Sequence, residues 1–185
     1  MEHVTVKDLV LGSGGVLVSG SEEAPVSHIR LDSRQVEPGD LFVPLLGERV
    51  DSHRFLPQVM DQGAAAVLTS QELTLPEGGA GCAVIRVEDT KKALQKIGSY
   101  LRDRLTLPLV GVTGSVGKTT TREMIAAALS ARFRVYKTPG NSNSQVGVPV
   151  TLSEITENDQ VGVIELGMSE PGEMTVIANI ARVDM

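Results

Sequence analysis

The 185-residue sequence has no tryptophan, and aromatic residues make up only 3% of it. A core must therefore be packed from Val, Leu, Ile, Ala and Met. A single cysteine, Cys82, excludes an internal disulfide. It stands in Cys82-Ala-Val-Ile-Arg-Val87, a strand-like run that suits a buried structural thiol rather than a nucleophile. Positive charge is short: 17 Lys and Arg against 23 Asp and Glu leave a net charge of −6, without the basic footprint of a nucleic-acid binder. No apolar run approaches the roughly 18 residues that a membrane span needs. The start, Met1-Glu-His-Val-Thr-Val-Lys-Asp8, lacks the apolar centre of a secretion signal. There are no repeats and no low-complexity segments. These absences predict an ordinary globular protein of the cytoplasm, with no membrane insertion and no nucleic-acid partner.

What is there is organised around Val110-Gly-Val-Thr-Gly-Ser-Val-Gly-Lys-Thr-Thr-Thr-Arg-Glu-Met124. The apolar run from Leu107 to Val112 reads as a buried strand. A turn of small residues follows, and then a helix from Lys118 to about Ala131, with Met124, Ile125, Ala128 and Leu129 at helical spacing. Strand, Gly-rich turn and helix in that order form the setting of a phosphate-binding loop. Gly114 and Gly117 allow backbone N–H groups to approach an anion, and the new helix directs its positive end at the same spot. Lys118 can reach outer phosphates, and the Thr119 hydroxyl is placed to ligate Mg²⁺. The strict pattern G-x-x-x-x-G-K-[ST] would need glycine at Val112, and the loop instead carries Gly114 in its middle.

Elsewhere the sequence predicts a first helix over 5–11 and strands over 16–18, 26–31 and 41–46, with a turn at Pro38-Gly39. A helix over 55–62 closes at Gly63, strands follow over 64–68 and 82–87, and a helix runs over 91–105. Lys91, Lys92 and Lys96 read as that helix's solvated face. Pro108 marks a domain boundary, giving 1–106 and 107–185. The second part alternates as strand 109–113, helix 118–132, strand 134–138, helix 145–154, strand 161–166 and helix 173–181. A last strand begins at Val183. Such alternation predicts a parallel α/β sheet. The chain stops after too few strands to complete it, so it reads as a fragment.

Val161-Gly-Val-Ile-Glu-Leu-Gly167 is an apolar strand with a carboxylate at the edge where open parallel sheets bind ligands. Glu165 there is suited to hold a metal beside the phosphate loop. Thr138-Pro-Gly-Asn-Ser-Asn-Ser-Gln-Val-Gly-Val-Pro149 is crowded with neutral hydrogen-bonding groups, which either bind a polar ligand at the same edge or form a solvated turn. Asp32, Ser33 and Arg34 read as a surface turn or a polar-ligand site. His3, His28 and His53 have no metal-ligand spacing.

Taken together, these residues resemble the Mur ligase family, the ATP-dependent amide-forming enzymes of peptidoglycan precursor synthesis. The family's loop is similar to Thr113-Gly-Ser-Val-Gly-Lys-Thr-Thr120. Asp32-Ser-Arg34, Pro38-Gly-Asp-Leu-Phe-Val43, Gly47 and Gly63-Ala-Ala65 resemble the N-terminal domain of members that add the later peptide residues. Gly140-Asn-Ser-Asn143, Gly147-x-Pro149, Ile164-Glu-Leu-Gly-Met168 and Pro171-Gly-Glu173 resemble the members that add D-alanyl-D-alanine, with Ser144 a departure where those carry a second Asn.

The resemblance implies a small N-terminal α/β domain that binds a UDP-linked substrate, then the first part of a parallel-sheet ATP-binding domain, with a third domain absent. It implies ATP bound by Gly114, Ser115, Val116, Gly117, Lys118, Thr119 and Thr120, with one Mg²⁺ held by Thr119 and the other by Glu165. Lys118 and Glu165 are the implied catalytic residues. Leu31, Ser33, Arg34, Asn141, Asn143 and the segment Glu48 to Val50 are the implied substrate contacts. UDP-N-acetylmuramoyl-tripeptide and D-alanyl-D-alanine are the implied substrates, joined by a monomer through an acyl phosphate, with no activity expected of residues 1–185 alone. The alternatives are a relative that adds the third peptide residue, a P-loop kinase or NTPase, and a non-catalytic nucleotide-binding module.

Overall fold

The computed structural model describes residues 1, 3–47, 50–72 and 81–185. They form two compact units, Met1–Ile97 and Gly98–Met185. The units part inside a helix, α3 (Thr90–Arg104), upstream of Pro108.

The first unit opens with α1 (Val6–Ser13), started by Thr5, whose N–H donates to the Asp8 carboxylate at 2.9 Å. Its five-stranded sheet runs β1-β5-β4-β3-β2. β2 (Ile29–Arg30), β3 (Leu41–Phe42), β4 (Ala66–Thr69) and β5 (Ala83–Arg86) are parallel, and β1 (Val16–Ser19) closes one edge antiparallel to β5. The strands expected over 26–31 and 41–46 shrink to two residues each. Val26 donates its N–H to the Val4 carbonyl at 2.9 Å. After Val43 bonds to Arg30, Pro44 has no N–H with which to continue the ladder, and Leu46 ends 79% exposed.

The Pro38-Gly39 turn is locked by Asp40, which is fully buried and accepts from Arg30 Nε at 3.0 Å and from the Glu37 N–H at 3.0 Å. His28 Nδ1 lies 3.2 Å from its other oxygen. A 3₁₀ turn (Ser52–Phe55) leads into α2 (Leu56–Asp61), and α2 packs Leu56 and Val59 against Phe42, Val67 and Val84. Each such large apolar side chain contributes about 1.5–3 kcal/mol on burial. Cys82 belongs to this core, and burial pushes its thiol up to about 12. Because the thiolate is the reactive form, Ellman's reagent should label Cys82 only as fast as the first unit unfolds in urea. Rapid labelling of the native chain would contradict the burial.

The second unit alternates β6 (Leu109–Val112), α4 (Lys118–Ser130), β7 (Val135–Lys137), α5 (Gly147–Ser153), β8 (Val161–Glu165) and α6 (Glu173–Ala181). The strands are parallel in the order β6-β8-β7. β8 is the middle strand and is buried along its whole length, which explains its unbroken apolar reading. The strand expected from Val183 appears as backbone bonds to β6, Asp184 N–H to Leu109 C=O and Gly111 N–H to Met185 C=O, each 2.8 Å.

The buried face of α4 matches the expected one in part: Ile125 and Leu129 pack against the core of Val112, Ala126 and Val163. Arg122 and Ala126 are buried, whereas Met124 is 69% exposed and Ala128 also faces out. The first turns of α4 lie beside Glu165 and present Thr119 and Arg122 to it.

Candidate functional site

The site grows from the C-terminal ends of β6 and β8. Beyond β6 the chain turns through Gly114 (φ 140°) and Gly117 (φ 78°), both in conformations that side chains with a Cβ rarely adopt. Gly117 caps α4 and accepts the Thr121 N–H at 2.9 Å. Thr113, Ser115, Val116 and Thr120 are exposed along this turn, Val116 to 87%. Lys118 Nζ folds back to donate to the Gly114 carbonyl at 2.8 Å, so the loop closes on its own cation.

Glu165, at the end of β8, is only 1% exposed. It is therefore not a solvated strand end. A buried carboxylate is costly unless its oxygens are bonded, and here both are. Asn143 Nδ2 donates to Oε1 at 2.7 Å. Arg122 Nη1 donates to Oε2 at 3.0 Å, and the Thr119 hydroxyl to the same oxygen at 3.2 Å. The Glu165 N–H donates to Thr138 Oγ1 at 2.9 Å, tying β8 to the end of β7.

The loop after β7 is built to deliver Asn143. Its backbone carbonyl accepts the Gly167 N–H at 2.8 Å, and a Cβ on Gly167 would lie 2.8 Å from the Asn143 amide carbon. Glycine follows Glu-Leu here because only glycine leaves room for that side chain. Asn141 is exposed and shapes the turn through its carbonyl, which accepts the Asn143 N–H at 2.8 Å. Of the two asparagines, Asn143 is the one that reaches Glu165.

Arg122 is a member of this site that sequence reasoning does not single out. It sits three positions after Thr119 and four after Lys118, on the same helix face. A cation at that spacing, on a helix packed beside an acidic strand end, was the available signal.

In the first unit, Asp32 caps a 3₁₀ turn (Ser33–Gln35) directly after β2. Arg34 clamps Asp32 through Nη2 at 2.6 Å and Nε at 2.9 Å, and this bonding holds the Asp32 carboxyl at about 2. Ser33 is buried, Leu31 is half-buried, and the Arg34 side chain is 84% exposed. Glu48 and Arg49 lie outside the described residues; Val50 is 42% exposed. His53, buried, places Nδ1 2.6 Å from Asp51 Oδ1 and accepts the Ser70 N–H on Nε2 at 3.3 Å, pinning the end of β4. Both bonds make it a structural histidine.

Among the described residues no group of three or more His, Cys, Asp or Glu side chains could hold a metal. What the site offers is a hydroxyl and one carboxylate, 3.2 Å apart at their nearest oxygens. That hard, sparse oxygen set fits Mg²⁺, which is usually bound through one or two carboxylates together with substrate phosphates.

Comparison with known proteins gives this geometry its context. Residues 25–101 match the family described as "Mur ligase family, catalytic domain", and residues 112–185 match "Mur ligase middle domain". The chain belongs to the Mur ligase family. Among its relatives is the UDP-N-acetylmuramoyl-tripeptide–D-alanyl-D-alanine ligase of Bacillus subtilis, 40% identical over 97% of this chain. The Escherichia coli ligase of the same name is 37% identical over 83% of it. A crystal structure of MurF from Acinetobacter baumannii superposes with a TM-score of 0.87 at 34% identity, covering 97% of this chain and 39% of that one. MurF from Thermotoga maritima, solved in complex with ADP, gives 0.73 at 31% identity, covering 84% of this chain and 35% of its own. This Mur ligase chain spans 39% of the length of its Bacillus subtilis relative and 33% of the Escherichia coli one. No helix among its described residues is long and apolar enough to cross a membrane.

Proposed function

We propose that this chain supplies the UDP-substrate-binding unit and the phosphate loop of a cytoplasmic, ADP-forming ligase that joins D-alanyl-D-alanine to UDP-N-acetylmuramoyl-tripeptide. The observation that carries the reading is the convergence of Lys118, Thr119, Asn143 and Glu165 at the ends of β6 and β8, in a chain whose relatives bear that ligase's name.

In this reading the terminal carboxylate of the tripeptide is phosphorylated at the expense of ATP. The free amine of the dipeptide attacks the resulting acyl phosphate, and inorganic phosphate leaves from a tetrahedral intermediate. The protein's part is positioning and charge neutralisation. Lys118 exchanges the Gly114 carbonyl for phosphate oxygens, and the N–H groups of 114–120 cradle the rest. Thr119 would hold one Mg²⁺ and Glu165 the other, and the ions when bound would neutralise charge on the transferring phosphoryl group. Asn143 fixes one Glu165 oxygen, and Asn141 lies at the rim facing substrate. Leu31 and Ser33 line the uridine pocket, and Arg34 is a further substrate contact. Residues 1–106 serve the UDP substrate and 107–185 begin the ATP-binding domain, acting as a monomer.

Phosphate release by the full-length gene product, with MgATP and UDP-N-acetylmuramoyl-tripeptide, tests this directly. Release should require D-alanyl-D-alanine, and the 185-residue chain alone should form no amide. Release that is indifferent to the dipeptide would refute the amine assignment, and release without the UDP substrate would turn the reading toward a simple NTPase.

A further inference from the structure

Arg122 is buried, with its side chain only 5% exposed, and it is held on every edge. Nη1 donates to Glu165 Oε2 at 3.0 Å and to the Gly140 carbonyl at 2.9 Å. Nη2 and Nε donate to Glu123 Oε1 at 2.8 and 3.2 Å. Glu123 is in turn paired with Lys137 through its other oxygen, and these cations hold its carboxyl below the usual range. The series Lys137, Glu123, Arg122, Glu165 alternates in sign and is neutral as a whole. A guanidinium does not lose its proton in a protein, so its charge on Glu165 is permanent.

A second observation bears on the same point. The described residues offer a bare divalent cation one carboxylate, paired with Arg122, and one hydroxyl, with no group of three acidic, imidazole or thiol ligands among them. A cation arriving alone meets a guanidinium already in contact with Glu165, the carboxylate that the described residues supply here. A cation arriving with nucleotide phosphates brings the missing negative charge with it.

We propose that Arg122 is the resident counter-cation of Glu165: it occupies the carboxylate while no metal is present and thereby makes metal entry conditional on nucleotide. Arg122 is a positioning residue, acting on the metal through Glu165. The inference rests on Thr119 and Glu165 being the metal ligands, and its test separates the failure of that assignment from its own.

The test is Mn²⁺ binding to the full-length gene product, followed by water-proton relaxation enhancement, with Mn²⁺ alone and with Mn²⁺ plus ATP. Wild type is compared with Arg122→Met, Arg122→Gln and Arg122→Lys. Wild type should bind Mn²⁺ well only with ATP. The two neutral variants should bind Mn²⁺ without nucleotide at least about tenfold more tightly than wild type, since a repelling unit charge at contact distance is gone. Arg122→Lys, which keeps the charge, should behave as wild type.

The urea midpoint of the second unit gives an independent readout. Mg²⁺ without nucleotide should raise it in the neutral variants and leave wild type unmoved, because only a ligand bound by the native state stabilises. A neutral variant that is unfolded without metal should therefore fold when Mg²⁺ is added. If wild type binds Mn²⁺ with ATP but the neutral variants gain nothing and ignore Mg²⁺ in urea, the inference is overturned and the metal site stands. If no chain binds Mn²⁺ under any condition, both are overturned. Nucleotide-free wild type binding Mn²⁺ as tightly as with ATP overturns the inference alone.

Discussion

Lys118→Ala in the full-length gene product is expected to lower the phosphate release of the proposed reaction on the order of 10³-fold, with the fold intact, because removing one preorganised donor from such a site costs about 10²–10³ in kcat. The loss follows from where the ammonium sits. Nζ lies over the phosphate loop on the Gly114 carbonyl, a neutral partner that offers it less than phosphate oxygens would. The charge on the transferring phosphoryl group is spread over oxygens this cation would touch. A full positive charge puts the expectation at the upper end. Lys118→Arg should not restore activity, because a planar fork cannot replace a point charge in a loop closed this tightly. The lysine is not in the core, so the stability read from urea unfolding should stay within about 0.5 kcal/mol of wild type. An alanine variant that keeps a tenth or more of wild-type turnover would show that the loop's N–H groups suffice and that Lys118 is not the phosphate cation.

The second large effect is on stability. Glu165→Ala should destabilise the second unit by about 3–5 kcal/mol, the range for breaking a buried ion pair from one side. The alanine would strand the Arg122 guanidinium at 5% exposure, with Glu123 on its far edge and no carboxylate on the near one. It would also leave Asn143 Nδ2 and the Thr119 hydroxyl without their acceptor. Glu165→Gln should fall between, since its carbonyl oxygen still accepts while its charge is lost. A convenient signal exists, because Tyr100 and Tyr136 are the only tyrosines in the sequence, there is no tryptophan, and both lie in the second unit. Tyrosine fluorescence in urea therefore follows that unit by itself. A Glu165→Ala midpoint indistinguishable from wild type would mean that Arg122 finds another acceptor and that the network is not what holds the sheet edge.

Much of the second unit was legible in the amino-acid order because its signals are local. The strand that starts at Leu109, the turn through Gly114 and Gly117, and the helix from Lys118 succeed one another within a few residues. Glu165 interrupts an otherwise apolar run. The alternation that predicted parallel strands works for the same reason. In the first unit the reading was coarser. Runs over 26–31 and 41–46 have strand composition, yet only Ile29–Arg30 and Leu41–Phe42 pair, because Val26 is claimed by Val4 and Pro44 ends the ladder. Those are decisions made by distant partners. Arg122 escapes notice for a similar reason: on the helix alone it reads as one more solvated charge. Only the register of β8 against β6, Val112 beside Glu165, puts a carboxylate opposite it. The role of Asn143 rather than Asn141 likewise depends on the Gly167 contact, which no spacing rule encodes.

The strand order of the second sheet has a consequence for how the chain acquires its shape. Among the three named strands, β6 and β7 each pair with β8, Leu109 beside Gly162 and Val135 beside Val161, and not with each other; the segment at 184–185 joins the far side of β6 later still. The last strand of the three to leave the ribosome is thus the one on which both others depend. Until residue 165 has emerged, β6 has no β8 to pair with, and its apolar face waits unpaired. Pairings between residues so far apart in sequence form slowly, because the loop between them must close first. The nascent chain therefore passes through a stage in which two unsatisfied strands are exposed together, and that interval is where this unit is most open to aggregation and most in need of a chaperone.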